Sequence, residues 1–373
     1  ARQASVDRII ALKMIKPHLA GHPQQRTKFL AEAAVTSDLD HPNIVPIHDL
    51  GAGPEGRLYY AMKRVQGTPW SQEIRKKTLQ QNLEILLDVA DAVAYAHAKG
   101  IIHRDLKPHN VMLGAYGEVV LMDWGLAAAV REGAKAEPLT RATAAGGTPA
   151  YMAPEMARAD VDRIGTCSDI YQLGAILYEI VSGRAPHGGD QVIGCLVHAA
   201  NNRIRPTEKK GELLDIALKA MATDPADRYP TVQEFQQAVR AYLDHEQSIR
   251  MGELAEDALN RARSSGTYDD FSEALYGFRE ALKLWDANER AREHLAVAQL
   301  AYAGNAFAKG DYDLAGSLLD TDRADHARFA DQIRAAQQER EARTRRLRVF
   351  KLTAAGLTAA IIAILAGACI LIY

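Results

Sequence analysis

The chain has 373 residues, with 45 Lys and Arg against 47 Asp and Glu and a net charge of −2. The length predicts two or three domains, the 47% hydrophobic fraction suits a globular core, and the charge balance argues against non-specific nucleic-acid binding. Cys167, Cys195 and Cys369 are scattered, with no CxxC pair, so neither a disulfide framework nor a cysteine metal site is expected, and a reducing cytosol suits them.

In chain order, Arg8–Met14 reads as a strand carrying one lysine, Lys13. A lone strand lysine is often a snorkelling residue. Gln24–Asp38 has helical composition, with Phe29, Leu30, Ala33 and Ala34 expected on one side and Glu32 among them. A strand lysine and a glutamate on the next helix could pair in a half-buried site. Ile44–Leu50 and Arg57–Lys63 read as two strands around a Gly- and Pro-rich turn. A boundary between two lobes is expected near Val65–Gly67. Leu79–Lys99 is the clearest helix: Leu79, Leu83, Leu86, Leu87, Ala90, Val93, Ala94 and His97 follow a 3.6-residue repeat, and Gly100 ends it.

The stretch from His103 to Asn110 places an acid, a lysine and an amide within six residues, Asp105, Lys107 and Asn110. A short hairpin follows, Val111–Leu113 with Val119–Met122, closed by Asp123-Trp124-Gly125. Leu126–Gly147 is rich in Ala, Gly and Thr and is expected to be a mobile loop. Thr148 to Glu155 ends it. Further helices are expected at Ser168–Ser182, Asp190–Ala200, Gly211–Met221 and Thr231–Leu243.

The strand lysine, the helix glutamate, HRDLKPHN, DWG and APE occur in the order and spacing of one family. Residues 1 to 243 resemble a eukaryotic-type serine/threonine protein kinase domain, here of the bacterial kind, judged also from the stretch Phe29–Pro46. The resemblance implies an α+β, two-lobed fold: a small β-rich lobe (residues 1–66) and a larger helical lobe (67–245). It implies ATP and Mg²⁺ as cofactors. Lys13 resembles the residue that holds the ATP phosphates, Glu32 its partner, Asp105 the catalytic base, and Asn110 and Asp123 the metal ligands. Lys107 goes with Ser/Thr substrates, and Thr148 resembles the threonine that contacts Asp105 and Lys107. Met62 would stand behind adenine, with Lys63 to Val65 as hinge backbone; a plain core methionine is the other reading. Arg104 resembles the arginine that receives an activation-loop phosphate, with Thr140 and Thr143 as candidate acceptors. Glu155 and Arg228 resemble a structural ion pair, and Asp169 the acceptor of N–H groups from the catalytic loop.

Two departures stand out. Trp124 replaces the usual Phe, and no Gly-rich loop precedes Lys13, so the small lobe reads as truncated at its start. After Leu243 the composition turns Ala-, Glu- and Arg-rich, and residues 250–340 read as helices. One cluster holds Tyr268, Ala274, Phe278, Ala281 and Leu282; another holds Gly304, Phe307, Gly310, Tyr312, Ala315 and Leu319. The second resembles a degenerate tetratricopeptide helix pair, a plain helical linker being the alternative. Residues 352–373 carry no charge and follow Arg343, Arg345, Arg346, Arg348 and Lys351. They are expected to form one membrane-spanning helix, with everything before them cytoplasmic.

The resulting expectation is a membrane-anchored kinase that transfers the ATP γ-phosphate to Ser or Thr of protein substrates and phosphorylates itself, as a homodimer acting in trans. Helical-repeat partners are expected and nucleic acid is not. A pseudokinase scaffold that binds partners is the alternative.

Overall fold

A computed structural model describes residues 1–3, 7–53, 56–131, 133–140, 146–189 and 191–372, with side chains as far as residue 358. The chain divides into two compact units, Ala1–Leu243 and Asp244–Tyr373. In the first unit β1 (Arg2–Gln3), β2 (Arg8–Met14), β3 (Ile47–Ala52) and β4 (Leu58–Lys63) form an antiparallel sheet in the order β1-β2-β4-β3. The expected strand at Arg8–Met14 has the same bounds. The next strand starts three residues late, at Ile47, because the backbone before it is engaged elsewhere. Asn43 O accepts the Leu121 N–H at 2.7 Å, and the Val45 N–H donates to Leu121 O at 3.2 Å.

Helix α1 (Pro23–Asp38) buries Phe29, Glu32, Ala33, Val35 and Thr36. The expected face was partly wrong: Leu30 is 38% exposed and Ala34 is also outside. The buried stripe still follows i, i+3, i+4, i+7, but it is rotated so that Glu32 faces the sheet. On that face Phe29 and Ala33 bury apolar surface and Glu32 pairs with Lys13. Phe29 and Ala33 meet Ile15, Leu58 and Tyr60 in a small core.

The remainder of this unit is mostly helical. β5 (Gly67–Pro69) leads into α2 (Trp70–Glu73) and α3 (Leu79–Ala98). A capping box starts α3: Thr78 Oγ1 accepts from the Gln81 N–H, and Gln81 Oε1 from the Thr78 N–H. Gly100 ends it at φ +76, a left-handed conformation that suits glycine. Leu83, Leu86, Ala90 and Val93 are fully buried as expected, but so are Val89 and Ala92, while Leu79 is 39% exposed. The helix is therefore wrapped on nearly all sides. Each fully buried aliphatic side chain contributes about 1.5–3 kcal/mol.

After β6 (Ile101–Ile102) come β7 (Val111–Gly114) and β8 (Val119–Leu121), the expected hairpin, which joins β5 in a three-stranded sheet. β9 (Ala128–Ala129) pairs with β6. The segment expected to be mobile is thus held in place at its start, and the Val130 N–H also donates to Gly100 O at 2.9 Å. Residues 132 and 141–145, Thr143 among them, lie outside the described residues. Helices α4 (Pro154–Ala157), α5 (Thr166–Ser182), α6 (Val192–Ala200) and α7 (Glu212–Ala220) follow. The helix expected to stop at Leu243 continues instead as α8, Val232–Ser265.

In the second unit α9 (Tyr268–Leu284) and α10 (Glu289–Ala308) pack on the later turns of α8, and α11 (Tyr312–Ser317) and α12 (Ala324–Ile372) follow. Small residues allow close approach: Ala255, Ala258 and Ala262 meet Ala274, Phe278 and Ala281. The Phe271 and Tyr302 rings stack at 5.0 Å. The two clusters anticipated in the tail correspond to two cores, the second built from Ala303, Ala306, Ala315 and Ile333 with Phe307 and Tyr312.

The expected membrane span requires correction. Among the described residues no helix is long and apolar enough to cross a membrane. The helix carrying Leu352 starts far upstream at Ala324 and runs through Arg343, Arg345, Arg346, Arg348 and Lys351. Of the expected span, side chains are described only for residues 352–358. The transmembrane element and the single-pass location inferred from it are not supported.

Candidate active site

Two groups of polar side chains meet where the sheet faces the hairpin. The first starts from β2. Lys13 sits opposite Tyr60 of β4 in the antiparallel register. Its Nζ donates to Glu32 Oε1, lies 3.4 Å from Asp123 Oδ1 and stands over the Tyr60 ring. Tyr60 OH donates to the same Glu32 oxygen at 2.7 Å. Burial alone would lower the Lys13 pKa, but the Glu32 and then the Asp123 carboxylate outweigh it and the net is a rise. Lys13 is therefore a fixed cation, paired yet 38% exposed along its side chain. Burial and the neighbouring Glu32 push the Tyr60 phenol up, so it stays a donor. Gly125 keeps this corner open: a Cβ there would lie 3.2 Å from Glu32 Oε2 and 3.3 Å from Asp123 Oδ1.

The second group is the loop between β6 and β7. Asp105 Oδ1 accepts from Thr148 Oγ1 at 2.7 Å. Its Oδ2 accepts from Lys107 Nζ at 2.7 Å and Asn110 Nδ2 at 3.1 Å. Lys107 Nζ also donates to Thr148 Oγ1 at 2.5 Å, and Asn110 Nδ2 to the Asp105 carbonyl at 2.8 Å. Both Asn110 bonds use the amide nitrogen, which leaves the amide oxygen to serve as a ligand atom. Asn110 O accepts the Met122 N–H at 2.8 Å, so the loop is tied to the residue next to Asp123.

The loop rests on α5. Asp169, fully buried, accepts the N–H of His103 and of Arg104, each at 2.8 Å, and His97 Nε2 lies 2.8 Å away. Burial pushes the Asp169 pKa up, but the His97 contact and the nearby His103 outweigh it and hold the carboxylate below its ordinary value. Gln172 accepts from the Leu106 N–H and donates to Arg104 O. This clamp holds Arg104 at φ +71, in a left-handed conformation that costs a non-glycine residue of order 1 kcal/mol or more. Asp123 is likewise left-handed, at φ +63. Trp124 is 1% exposed and meets the His103 ring edge-on at 4.6 Å. The indole fills the slot expected for a phenylalanine.

The other anticipated residues fall as follows. Met62 lies on β4 against the small core, and Val65 is half-buried just beyond that strand. Arg104 is buried, donates to Leu126 O at 3.4 Å, and lines a pocket of about 80 Å³ with Lys28, Glu137 and Pro138. Burial lowers the Arg104 pKa, and Asp169 opposes that. Thr140 is exposed, two residues beyond Pro138. Glu155 and Arg228 form a buried two-pronged ion pair at 2.7 and 2.8 Å, joined by Ser168 Oγ at 2.7 Å. Sequence reasoning missed Tyr60, Gln172 and Lys28 altogether, and His97 as a partner of Asp169. Tyr60 was findable once β2 and β4 were paired. Gln172 was findable as the residue three after Asp169 on the same helix face.

The protein kinase domain family matches residues 1–259. The chain is 34% identical to serine/threonine-protein kinase PknD of Protochlamydia amoebophila over 277 residues, 64% of this chain and 28% of that protein. It is 33% identical to PknD of Chlamydia trachomatis over 302 residues, 69% of this chain and 31% of that protein. It is 34% identical to PknB of Mycobacterium tuberculosis over 245 residues, 63% of this chain and 38% of that protein. The chain spans about a third of the length of these curated relatives. With the matched family covering well over half of its length, the chain belongs to the protein kinase domain family.

Proposed function

We propose that the chain transfers the γ-phosphoryl group of ATP to serine or threonine hydroxyls of protein substrates. The observation that carries the reading is the Asp105 carboxylate. It is oriented from three sides by Thr148, Lys107 and Asn110, close to a Lys13–Glu32–Asp123 array. In this reading residues 1–66 and 67–245 are the two lobes. The donor set fits a hard divalent cation: the Asn110 amide oxygen and the half-exposed Asp123 carboxylate are oxygen ligands of the kind Mg²⁺ takes alongside phosphates. When bound, Mg²⁺ would offset negative charge on the phosphates. Lys13 would hold the α and β phosphates, and Glu32 and Tyr60 fix its ammonium. Asp105 would accept the hydroxyl hydrogen of the substrate and orient its oxygen. Lys107 would lie beside the transferred group and offset its charge. Such positioning and preorganised charge account for most of the catalysis expected of this chemistry.

Arg104 and Lys28 in the lining of one pocket, which Glu32 and Glu137 also line, support a regulatory reading, in which phosphate on Thr140 or Thr143 binds there. The pairing of α9 with α10 and the two cores of the second unit support reading residues 250–340 as degenerate tetratricopeptide-like helix pairs. The competing reading, a pseudokinase scaffold, is disfavoured by the joint presence of Lys13, Glu32, Asp105, Asn110 and Asp123. Incubation with γ-labelled ATP, Mg²⁺ and a Ser/Thr-rich protein tests the proposal. Label on phosphoserine or phosphothreonine is expected; nucleotide binding with no transfer to protein would favour the scaffold.

A further inference from the structure

The second unit carries an unusual division of charge. Residues 244–339 hold 11 Lys and Arg against 19 Asp and Glu, whereas residues 340–351 hold 6 against 1. The acidic part contains a groove of about 400 Å³ between α8 and the start of α10, floored by Trp285, Ile249 and Ala287. Ile249 is 47% exposed. Gly252 stands open in its wall, with nothing within 4 Å of where a Cβ would be. Glu256 is taken up by Arg290 at 2.8 and 2.9 Å and by His294 at 2.8 Å. Glu253 and Glu289 line the groove and make no ion pair among the described residues. The Trp285 ring already meets the His245 ring at 4.6 Å, so the groove suits a cationic, partly apolar segment through its carboxylates and apolar burial more than through ring–cation attraction.

Among the described residues the same unit presents such a segment without a cover. On α12 Leu347, Val349 and Phe350 are 52%, 56% and 70% exposed, interleaved with Arg343, Arg345, Arg346, Arg348 and Lys351. Leu347, Phe350, Ala354 and Leu357 recur at spacings of 3, 4 and 3, which puts them on one helix face. This stretch continues, without a break, the helix that begins at Ala324. It therefore cannot fold back as a separate strap onto the groove of its own chain.

We infer that the basic, apolar stretch Arg343–Leu357 of one copy seats in the acidic Trp285 groove of a second copy, and that the exchange is reciprocal. Like charges along the stretch disfavour two such helices lying directly side by side, whereas helix-in-groove docking brings opposite charges together. Reciprocal seating closes a two-fold dimer instead of an open chain. The inference does not rest on the kinase reading, since every residue involved lies beyond Leu243.

Sedimentation equilibrium of the full chain tests it. The wild type should dimerise, and the dimer should weaken as salt rises from about 0.05 to about 0.5 M. Gly252→Trp, which fills the groove, and Phe350→Glu, which spoils the stretch, should each weaken association by about tenfold or more. Circular dichroism should show both variants folded. Mixing the two variants restores one intact groove facing one intact stretch, so the mixture should associate more tightly than either variant alone. A wild type that stays monomeric at its highest soluble concentration overturns the inference. So does a dimer indifferent to both substitutions, or a mixture no tighter than its components.

Discussion

The sheet side of the site and the loop side hold their charges in opposite ways. Lys13 projects from a four-stranded sheet backed by a small core, and its side chain is 38% exposed. Asp105, Asp169 and Arg228 sit in or against the large helical core at 8%, 0% and 2% exposure. The sheet side fixes one cation by two partners and leaves it accessible. The loop side sinks its charges and compensates each with hydrogen bonds, at the cost of two left-handed residues. Burial strengthens electrostatic contacts and penalises any that are left unmade. Damage to the helical side should therefore appear first as lost stability, and damage to the sheet side as lost activity.

Arg228→Ala should break this contrast most visibly. It leaves the 3%-exposed Glu155 carboxylate without its two-pronged partner, and losing one member of a buried pair costs about 3–5 kcal/mol. The first urea transition should move accordingly. Lys13→Met should do the reverse. Loss of a preorganised cation costs transfer about 10²–10³-fold, while stability should fall less than for Arg228→Ala, because Lys13 is itself 38% exposed and Tyr60 still donates to the buried Glu32. Steady-state kinetics and urea unfolding on one preparation separate the two. Tyr60→Phe removes the second tether of Glu32, a hydrogen bond to a charged group worth about 1.5–3 kcal/mol. It should lower kcat/KM by about tenfold or less and leave the fold intact.

The smallest effect belongs to His187, buried beside Tyr171 OH at 2.7 Å. Burial lowers its pKa below 6.5, and the nearby His198 and Arg205 charges add to that, against a carbonyl contact from Arg203. The folded state thus binds fewer protons than the unfolded chain in this range. The stability contribution is complete above about pH 6.5 and is lost as pH falls below it. His187→Gln should flatten that acid limb in urea titrations between neutral and mildly acidic pH.

The loop side was the more legible from sequence because its residues are close in the chain. Asp105, Lys107 and Asn110 lie within six positions, and their mutual bonds follow from local geometry. Asp169 and the Glu155–Arg228 pair came through resemblance, and the structure gives them the implied partners. The sheet side was less legible because its partnerships cross strands. Tyr60 becomes a neighbour of Lys13 only through the β2–β4 register. Helix α1 misled in the same way: Leu30 and Ala34 raise the apolar count, but Val35 and Thr36 are buried in their place, with Glu32 paired to Lys13 on the inner face. The end of α8 was misplaced because a change of composition at Leu243 marks the edge of a compact unit without ending the helix that crosses it. The membrane span was drawn from the uncharged run 352–373 and the basic residues before it, and no described helix is long and apolar enough to cross a membrane.

In the proposed reading Asp105 drives phosphoryl transfer in a site assembled from both sides. Its most direct test compares the wild type with Asp105→Asn for transfer of labelled γ-phosphate and, in parallel, for equilibrium binding of ATP. Asparagine keeps the size of the side chain and removes the base. Transfer should fall by about 10³-fold or more, consistent with loss of general-base action, while nucleotide affinity stays close to that of the wild type. Equal transfer by the two proteins would contradict the account.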